Sequence, residues 1–206
     1  YKYFSMCGIV GIASKKDCIE DIVSGLFSLE YRGYDSAGIG IIKNSKFESL
    51  KNVGKISSLQ KEIINNKITG KIAIGHTRWA THGKPSLKNS HPFVRDNCVL
   101  VHNGIIENCD ELIKYFSINK KKIKSETDSE VAAEVFNKLL NEFNNPIDAI
   151  IELNKKIIGN FSFAYLVRGT NSIYATRRGS PLVLGIADSF NAVSSDVLGL
   201  PDNTKE

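Results

Sequence analysis

The sequence predicts an α+β fold in which layered β-sheets are covered by helices. Strand patterns gather toward both ends of the chain, and helical patterns lie between and around them. The late strands are linked by short turns, which makes that part antiparallel.

Residues 8–13, Gly-Ile-Val-Gly-Ile-Ala, read as a buried strand near the start of the chain. Asp17 reads as a helix cap with Glu20 three residues on, and Ile19, Ile22, Val23, Leu26 and Leu29 follow at helical spacing. Gly33 is placed to end that helix. Residues 37–42 and 46–53 read as strands, and 57–66 as a short helix. Residues 71–76 form an apolar run suited to an inner strand, and 98–102 are similar. The loop between them, 78–97, carries Gly83, Pro85 and Pro92; loops this long in a compact domain are usually functional or disordered. Thr127 and Glu130 read as a capping box for a helix to about Phe143, with Val131, Val135, Leu139 and Phe143 recurring every four positions. A second helix is predicted over 146–157, then strands at 161–168, 172–177, 181–186 and 190–194. No internal repeat or long linker is visible.

Composition narrows the function classes. The 206 residues fit one large domain or two small ones, and 42% hydrophobic content fills a sizeable core. No apolar run approaches the roughly 18 residues a bilayer span requires. No signal peptide is visible, so a cytoplasmic protein is expected. The net charge of +5 is a mild excess, much of it in Lys120, Lys121, Lys122 and Lys124. No aromatic side chains interleave with those lysines, so they read as a solvated loop rather than a nucleic-acid surface. Cys7, Cys18, Cys98 and Cys109 form no Cys-x-x-Cys pair, which argues against zinc. Cys18, Cys98 and Cys109 read as small buried hydrophobes.

Polar clusters sit where strands end or loops begin: Met6-Cys7-Gly8, Arg32-Gly33-Tyr34-Asp35-Ser36, His76 through Gly83, and His102-Asn103-Gly104, with Thr127-Asp128 at a helix start. Together with Cys7 through Gly11, Leu29 through Gly38, Gly75 through Gly83, Val101 through Asn108 and Ser125 through Glu130, these stretches resemble the glutaminase domains of the glutamine–fructose-6-phosphate aminotransferase family. That family belongs to the N-terminal-nucleophile (class II) glutamine amidotransferases. The resemblance spans nearly the whole chain in the family's order.

The resemblance implies a four-layer α/β/β/α sandwich of two stacked antiparallel sheets, the N-terminal-nucleophile hydrolase fold. It implies that Cys7 becomes the first residue and attacks the glutamine carboxamide, with its own α-amine as base. The chemistry is apt: a thiol of pKa about 8.5 needs a proton acceptor, and an α-amine of pKa about 7.7–8.0 is partly neutral at pH 7. Residues 1–6 precede Cys7 and read as a leader or cloning remnant before a domain over 7–206. Asn103 and Gly104 resemble the oxyanion hole. The alternative for Asn-Gly is a tight turn after strand 98–102. Arg78 resembles the clamp on the glutamine α-carboxylate and Asp128 the partner of its α-ammonium. Their alternatives are a surface ion pair and a helix-start acid.

Trp79, Thr81 and His82 belong to a loop that, in the family, closes over glutamine. His76, His91 and His102 read as structural hydrogen-bonders without metal spacing. Tyr31, Arg32, Asp35 and Ser36 are expected to shape the pocket floor, and Arg32 to orient the nucleophile region. No metal or organic cofactor is implied. The implied partners are L-glutamine and a sugar-phosphate isomerase domain, not present in this chain, that takes the ammonia to make glucosamine 6-phosphate. An oligomeric full-length enzyme is expected, with no nucleic acid or membrane partner. Two rival readings stay open: another amidotransferase of the class, such as amidophosphoribosyltransferase, and a non-catalytic glutamine-sensing domain.

Overall fold

The computed structural model describes residues 7–79 and 83–205. The first half of the chain runs β1 (Gly8–Ser14), α1 (Ile19–Ser28), β2 (Ser36–Lys43), β3 (Lys46–Val53), α2 (Ile56–Asn65) and β4 (Ile72–Arg78). It continues through β5 (Phe93–Val94), β6 (Cys98–Ile106), α3 (Cys109–Tyr115), α4 (Asp128–Glu142) and α5 (Pro146–Lys156). The last strands are β7 (Gly159–Val167), β8 (Ile173–Arg178), β9 (Val183–Ile186) and β10 (Phe190–Ser194).

The strands form two antiparallel sheets, one ordered β3-β2-β4-β1-β10-β9 and the other β5-β6-β7-β8. Three apolar layers hold four structural layers together. The outer face of the first sheet is covered by α1 and α2 through Ile19, Ile22, Leu26, Ile56 and Leu59. The outer face of the second is covered by α3, α4 and α5, over an aromatic floor of Phe136, Phe161, Phe163 and Tyr165. Between the sheets lie Ile9, Ile42, Ile74, Val99, Val101, Ala164 and Leu166. Truncating a fully buried one such as Ile74 to Ala costs about 2–5 kcal/mol. The expected four-layer sandwich is therefore the observed fold.

Several local expectations are corrected. Asp17 is not the cap of α1; Cys18 holds that position, and Asp17 Oδ1 accepts from Gly70 N–H at 2.7 Å. Thr127 caps α4 only by its extended backbone, because Glu130 turns back past it to the Lys124 and Ser125 N–H groups. Arg95 donates to the other oxygen of that carboxylate at 2.8 Å, which ties the turn between β5 and β6 to α4. The strand predicted to stop at residue 102 runs to Ile106 and pairs with β7 throughout. The sequence reading missed α3, and the lysine run forms a short 3-10 turn at Lys120–Lys122. β8 and β9, although adjacent in the chain, lie in different sheets.

Candidate active site

Strand periodicity builds the site. Side chains two apart on a strand share a face. Ile74 on β4, Val99 and Val101 on β6, and Ile9 on β1 all point between the sheets. Continuing each series toward one end of the sandwich gives His76 and Arg78 from β4, Asn103 from β6 and Cys7 from β1. The inter-sheet layer thus changes from apolar to polar at one end, on three strands at once. Registers fix the rest: Gly8 lies opposite Thr77, which sets Cys7 beside Arg78.

Cys7 is partly buried and lines a pocket with Arg78, Trp79, His91, His102, Gly104, Thr127, Asp128 and Ser129. The space enclosed is about 40 Å³. Cys7 Sγ accepts from the Trp79 N–H at 3.3 Å and lies 3.7 Å from the Trp79 carbonyl oxygen. Burial pushes the thiol above its ordinary pKa; the Trp79 contact and the Arg78 charge pull the other way, and Asp35 and Asp128 add to the rise. Cys7 is therefore held as a thiol. Behind it, Ile9 N–H donates to Ser195 Oγ at 3.0 Å, and Ser195 N–H returns to the Ile9 carbonyl at 3.0 Å. Arg32 donates to the Ser195 carbonyl at 3.1 Å, so it braces the start of β1 through Ser195 rather than touching Cys7. Ser195 has no signal in the sequence that marks it out.

Asn103 is 8% exposed and bridges the two sheets. Its Nδ2 donates to the Cys7 carbonyl at 2.9 Å and its Oδ1 lies 3.0 Å from His76 Nε2. Asn103 and Gly104 are not a tight turn. They sit inside β6, opposite Ser162 and Phe161. Gly104 has φ of 133°, and a Cβ there would lie 2.1 Å from the Asn160 carbonyl oxygen, so only glycine fits.

Arg78 is buried, 3.8 Å from Asp35, and donates to the Gly83 carbonyl at 3.4 Å. Asp128 opens α4 with its carboxylate partly exposed to the pocket. Its Oδ2 accepts from Ile106 N–H at 2.7 Å and its Oδ1 from Ser129 Oγ at 3.2 Å. Trp79 packs on Gly33, whose φ of 132° and lack of a Cβ make room for the ring, yet Trp79 remains 43% exposed. Thr81 and His82 lie outside the described residues. Of the remaining predicted floor residues, Ser36 Oγ donates to Asp35 at 2.8 Å, while Tyr31 is exposed and reaches Asp196.

Of the buried histidines, His76 and His102 are polar links, whereas His91, also expected to be a structural hydrogen-bonder, has no partner on either ring nitrogen among the described residues and packs by its ring faces instead. His102 Nδ1 pairs with Ser129 Oγ at 2.9 Å and its ring stacks on Phe163. His91 stacks on His76 with ring centroids 3.9 Å apart. Asn89 was not singled out from sequence. It accepts from Glu126 N–H at 3.0 Å and joins the loop before β5 to the approach to α4. Among the described residues no group of three or more His, Cys, Asp or Glu is placed to hold a metal ion, and no helix is long and apolar enough to cross a membrane.

Comparison with known proteins gives this geometry a family. A family model described as a glutamine amidotransferase domain matches residues 76–200. The chain is 40% identical over 202 residues to glutamine–fructose-6-phosphate aminotransferase (isomerizing) of Zymomonas mobilis, covering 98% of this chain and 33% of that protein. It is 42% identical to the protein of the same name from Francisella tularensis, over 95% of this chain and 32% of that one. The chain thus spans about a third of the length of these relatives. Glutamine phosphoribosylpyrophosphate amidotransferase from B. subtilis superposes with a TM-score of 0.80 at 25% identity, over 97% of this chain and 44% of that structure. With its residues 76–200 matched and its two-sheet fold shared, the chain belongs to the glutamine amidotransferase domain family.

Proposed function

We propose that this chain hydrolyses L-glutamine to glutamate and ammonia through a thioester on Cys7. One observation carries the reading: a thiol, Gly104 and a side-chain pair of opposite charge, Arg78 and Asp128, line a single pocket, with the Asn103 amide bonded to the backbone of the same Cys7.

The steps follow from the groups present. Cys7 Sγ attacks the side-chain carboxamide carbon and its proton passes to a base. The oxygen of the tetrahedral intermediate becomes negative and takes hydrogen bonds from the Asn103 Nδ2 and the Gly104 N–H. Collapse breaks the carbon–nitrogen bond, and the nitrogen leaves as ammonia with the proton the base held. Water then cleaves the thioester, releasing glutamate and restoring the thiol. Arg78 grips the α-carboxylate and Asp128 the α-ammonium, with Trp79, Thr81 and His82 closing over the substrate.

The family resemblance supplies the base: the α-amine of Cys7, freed by cleavage after Met6. Burial raises the thiol pKa, so the base has to be close. Among the described residues the hydrogen-bond partner of Sγ is the Trp79 backbone, which is compatible with that assignment. In the whole protein the ammonia passes to a sugar-phosphate isomerase domain that aminates fructose 6-phosphate. The names of the relatives at about 40% identity support that acceptor over phosphoribosylpyrophosphate. A cytoplasmic, oligomeric enzyme belongs to the same proposal.

The test compares protein beginning at Cys7 with protein retaining residues 1–6, each verified by intact mass. Glutamate release is expected from the first, weakly from the second and not at all from Cys7→Ala. Full activity with Met6 attached would remove the amine from the mechanism. Turnover by Cys7→Ala would end the reading.

A further inference from the structure

An asparagine serves as an oxyanion donor only when its nitrogen, not its oxygen, faces the reacting carbon. The two ends of the amide have the same shape, so the neighbours decide. His76 Nε2 lies 3.0 Å from the His102 carbonyl oxygen and 3.0 Å from Asn103 Oδ1. A backbone carbonyl can only accept, so Nε2 must carry the hydrogen. The same N–H faces the Asn103 amide, where only the oxygen can receive it. A rotated amide would set N–H against N–H, inside a layer where His76 is fully buried. The Asn103 nitrogen is therefore turned the other way. It donates one hydrogen to the Cys7 carbonyl at 2.9 Å and keeps the second.

We propose that His76 is a positioning residue for glutamine hydrolysis: its Nε2–H, locked by the His102 carbonyl, holds the Asn103 amide with its donor toward the reacting carbonyl. The inference rests on the reading of Asn103 as an oxyanion donor and adds what aims it. The surroundings keep the donor constant. β4 pairs on both sides at His76, with Ile9 of β1 and Gly38 of β2, so its backbone is fixed. The His91 ring covers its face. Its Nδ1 has no hydrogen-bond partner among the described residues, as the neutral Nε2–H tautomer permits and an imidazolium would not. The ionisable groups nearest it, His91, His102 and Arg78, supply no negative charge; with burial they leave His76 neutral, its pKa pushed down to about 3.

The test uses the whole protein with its N-terminus at Cys7. His76→Phe keeps the ring and removes the donor; His76→Gln restores an N–H of similar reach. His76→Phe is expected to lower kcat about 10- to 100-fold with KM for glutamine little changed, because Arg78 and Asp128 are untouched. His76→Gln is expected to recover most of that loss. Since His76 acts through Asn103, adding His76→Phe to Asn103→Ala should cost no more than Asn103→Ala alone. Equal losses in both His76 variants, a loss confined to KM, or additive losses in the double variant would each overturn the assignment. If Asn103→Ala itself turns over normally, the oxyanion reading fails first. If Asn103→Ala is impaired and His76→Phe is not, only the present inference fails. Histidine-selective nitrogen-15 NMR of the unsubstituted protein needs no variant: His76 should show the neutral Nε2–H tautomer from pH 5 to 9, and an Nδ1–H tautomer would refute the proposal.

Discussion

The floor and the rim of the Cys7 pocket are built in opposite ways. The floor is strand: His76 and Asn103 lie on β4 and β6, buried and hydrogen-bonded to each other across the two sheets. His102 locks it from the side through its carbonyl oxygen. At the rim strand gives way to loop: Trp79, just past β4, is nearly half exposed, while Arg78, the last residue of β4, is buried with Asp35 at 3.8 Å and the Gly83 carbonyl oxygen at 3.4 Å. The pocket between floor and rim holds about 40 Å³ beside the exposed Trp79. Groups that stabilise developing charge gain from being fixed in advance, whereas groups that admit substrate must yield. Under the proposed function the floor carries the chemistry and the rim the binding, and substitutions on each side should separate kcat from KM.

The largest effect is expected on the floor. Asn103→Ala removes the proposed oxyanion donor and should lower kcat about 100- to 1,000-fold with a small change in KM. Steady-state glutamate release measures both, and a change confined to KM would move Asn103 to the rim. On the rim, Arg78→Ala removes the proposed partner of the substrate carboxylate and should raise KM about 10- to 100-fold, since a charged hydrogen-bonding pair is worth about 1.5–3 kcal/mol. Arg78→Ala also releases Asp35, so Asp35→Asn is the control. If Asp35→Asn reproduces the whole effect, Arg78 acts through the ion pair and not on the substrate.

The two regions were also legible in the sequence to different degrees. Helices 57–66 and 146–157 were visible because each buries one face, which leaves a repeat in the chain, and strands 8–13 and 37–42 because both faces are buried, which leaves a continuous apolar run. The inter-sheet position of Ile74 and Val101 predicts the facing of His76 and Asn103 by simple alternation. Capping was misread at Asp17, whose carboxylate is taken by the distant Gly70 N–H, and at Glu130, which is shared between the Lys124 and Ser125 N–H groups ahead of the cap and the distant Arg95. The Asn103-Gly104 pair looked like a turn because that dipeptide suits turns. Pairing with β7 overrode the preference, and Gly104 answers instead to the approach of Asn160. Ser195 and Asn89 were invisible, since one buried hydrogen bond between distant segments leaves no periodic trace.

The floor has a further cost that acid should reveal. Burial lowers the pKa of His76 to about 3, and burial likewise lowers those of His91 and His102. In the unfolded chain each titrates near 6.5. Below that pH the unfolded state binds protons the folded state refuses, so the stabilisation is complete above about pH 6.5 and is lost as pH falls. A histidine held neutral in the fold contributes a slope of about 1.4 kcal/mol per pH unit between its two pKa values, and the three act in the same direction. Urea midpoints should fall between pH 6.5 and 5, before the carboxylates titrate. His91→Phe should make the slope visibly shallower, because His91 has no hydrogen-bond partner on either ring nitrogen among the described residues and its loss leaves no bond broken. An unchanged slope in His91→Phe would mean that its ring takes up a proton inside the fold, and that the floor is wetter and less rigid than the contrast with the rim requires.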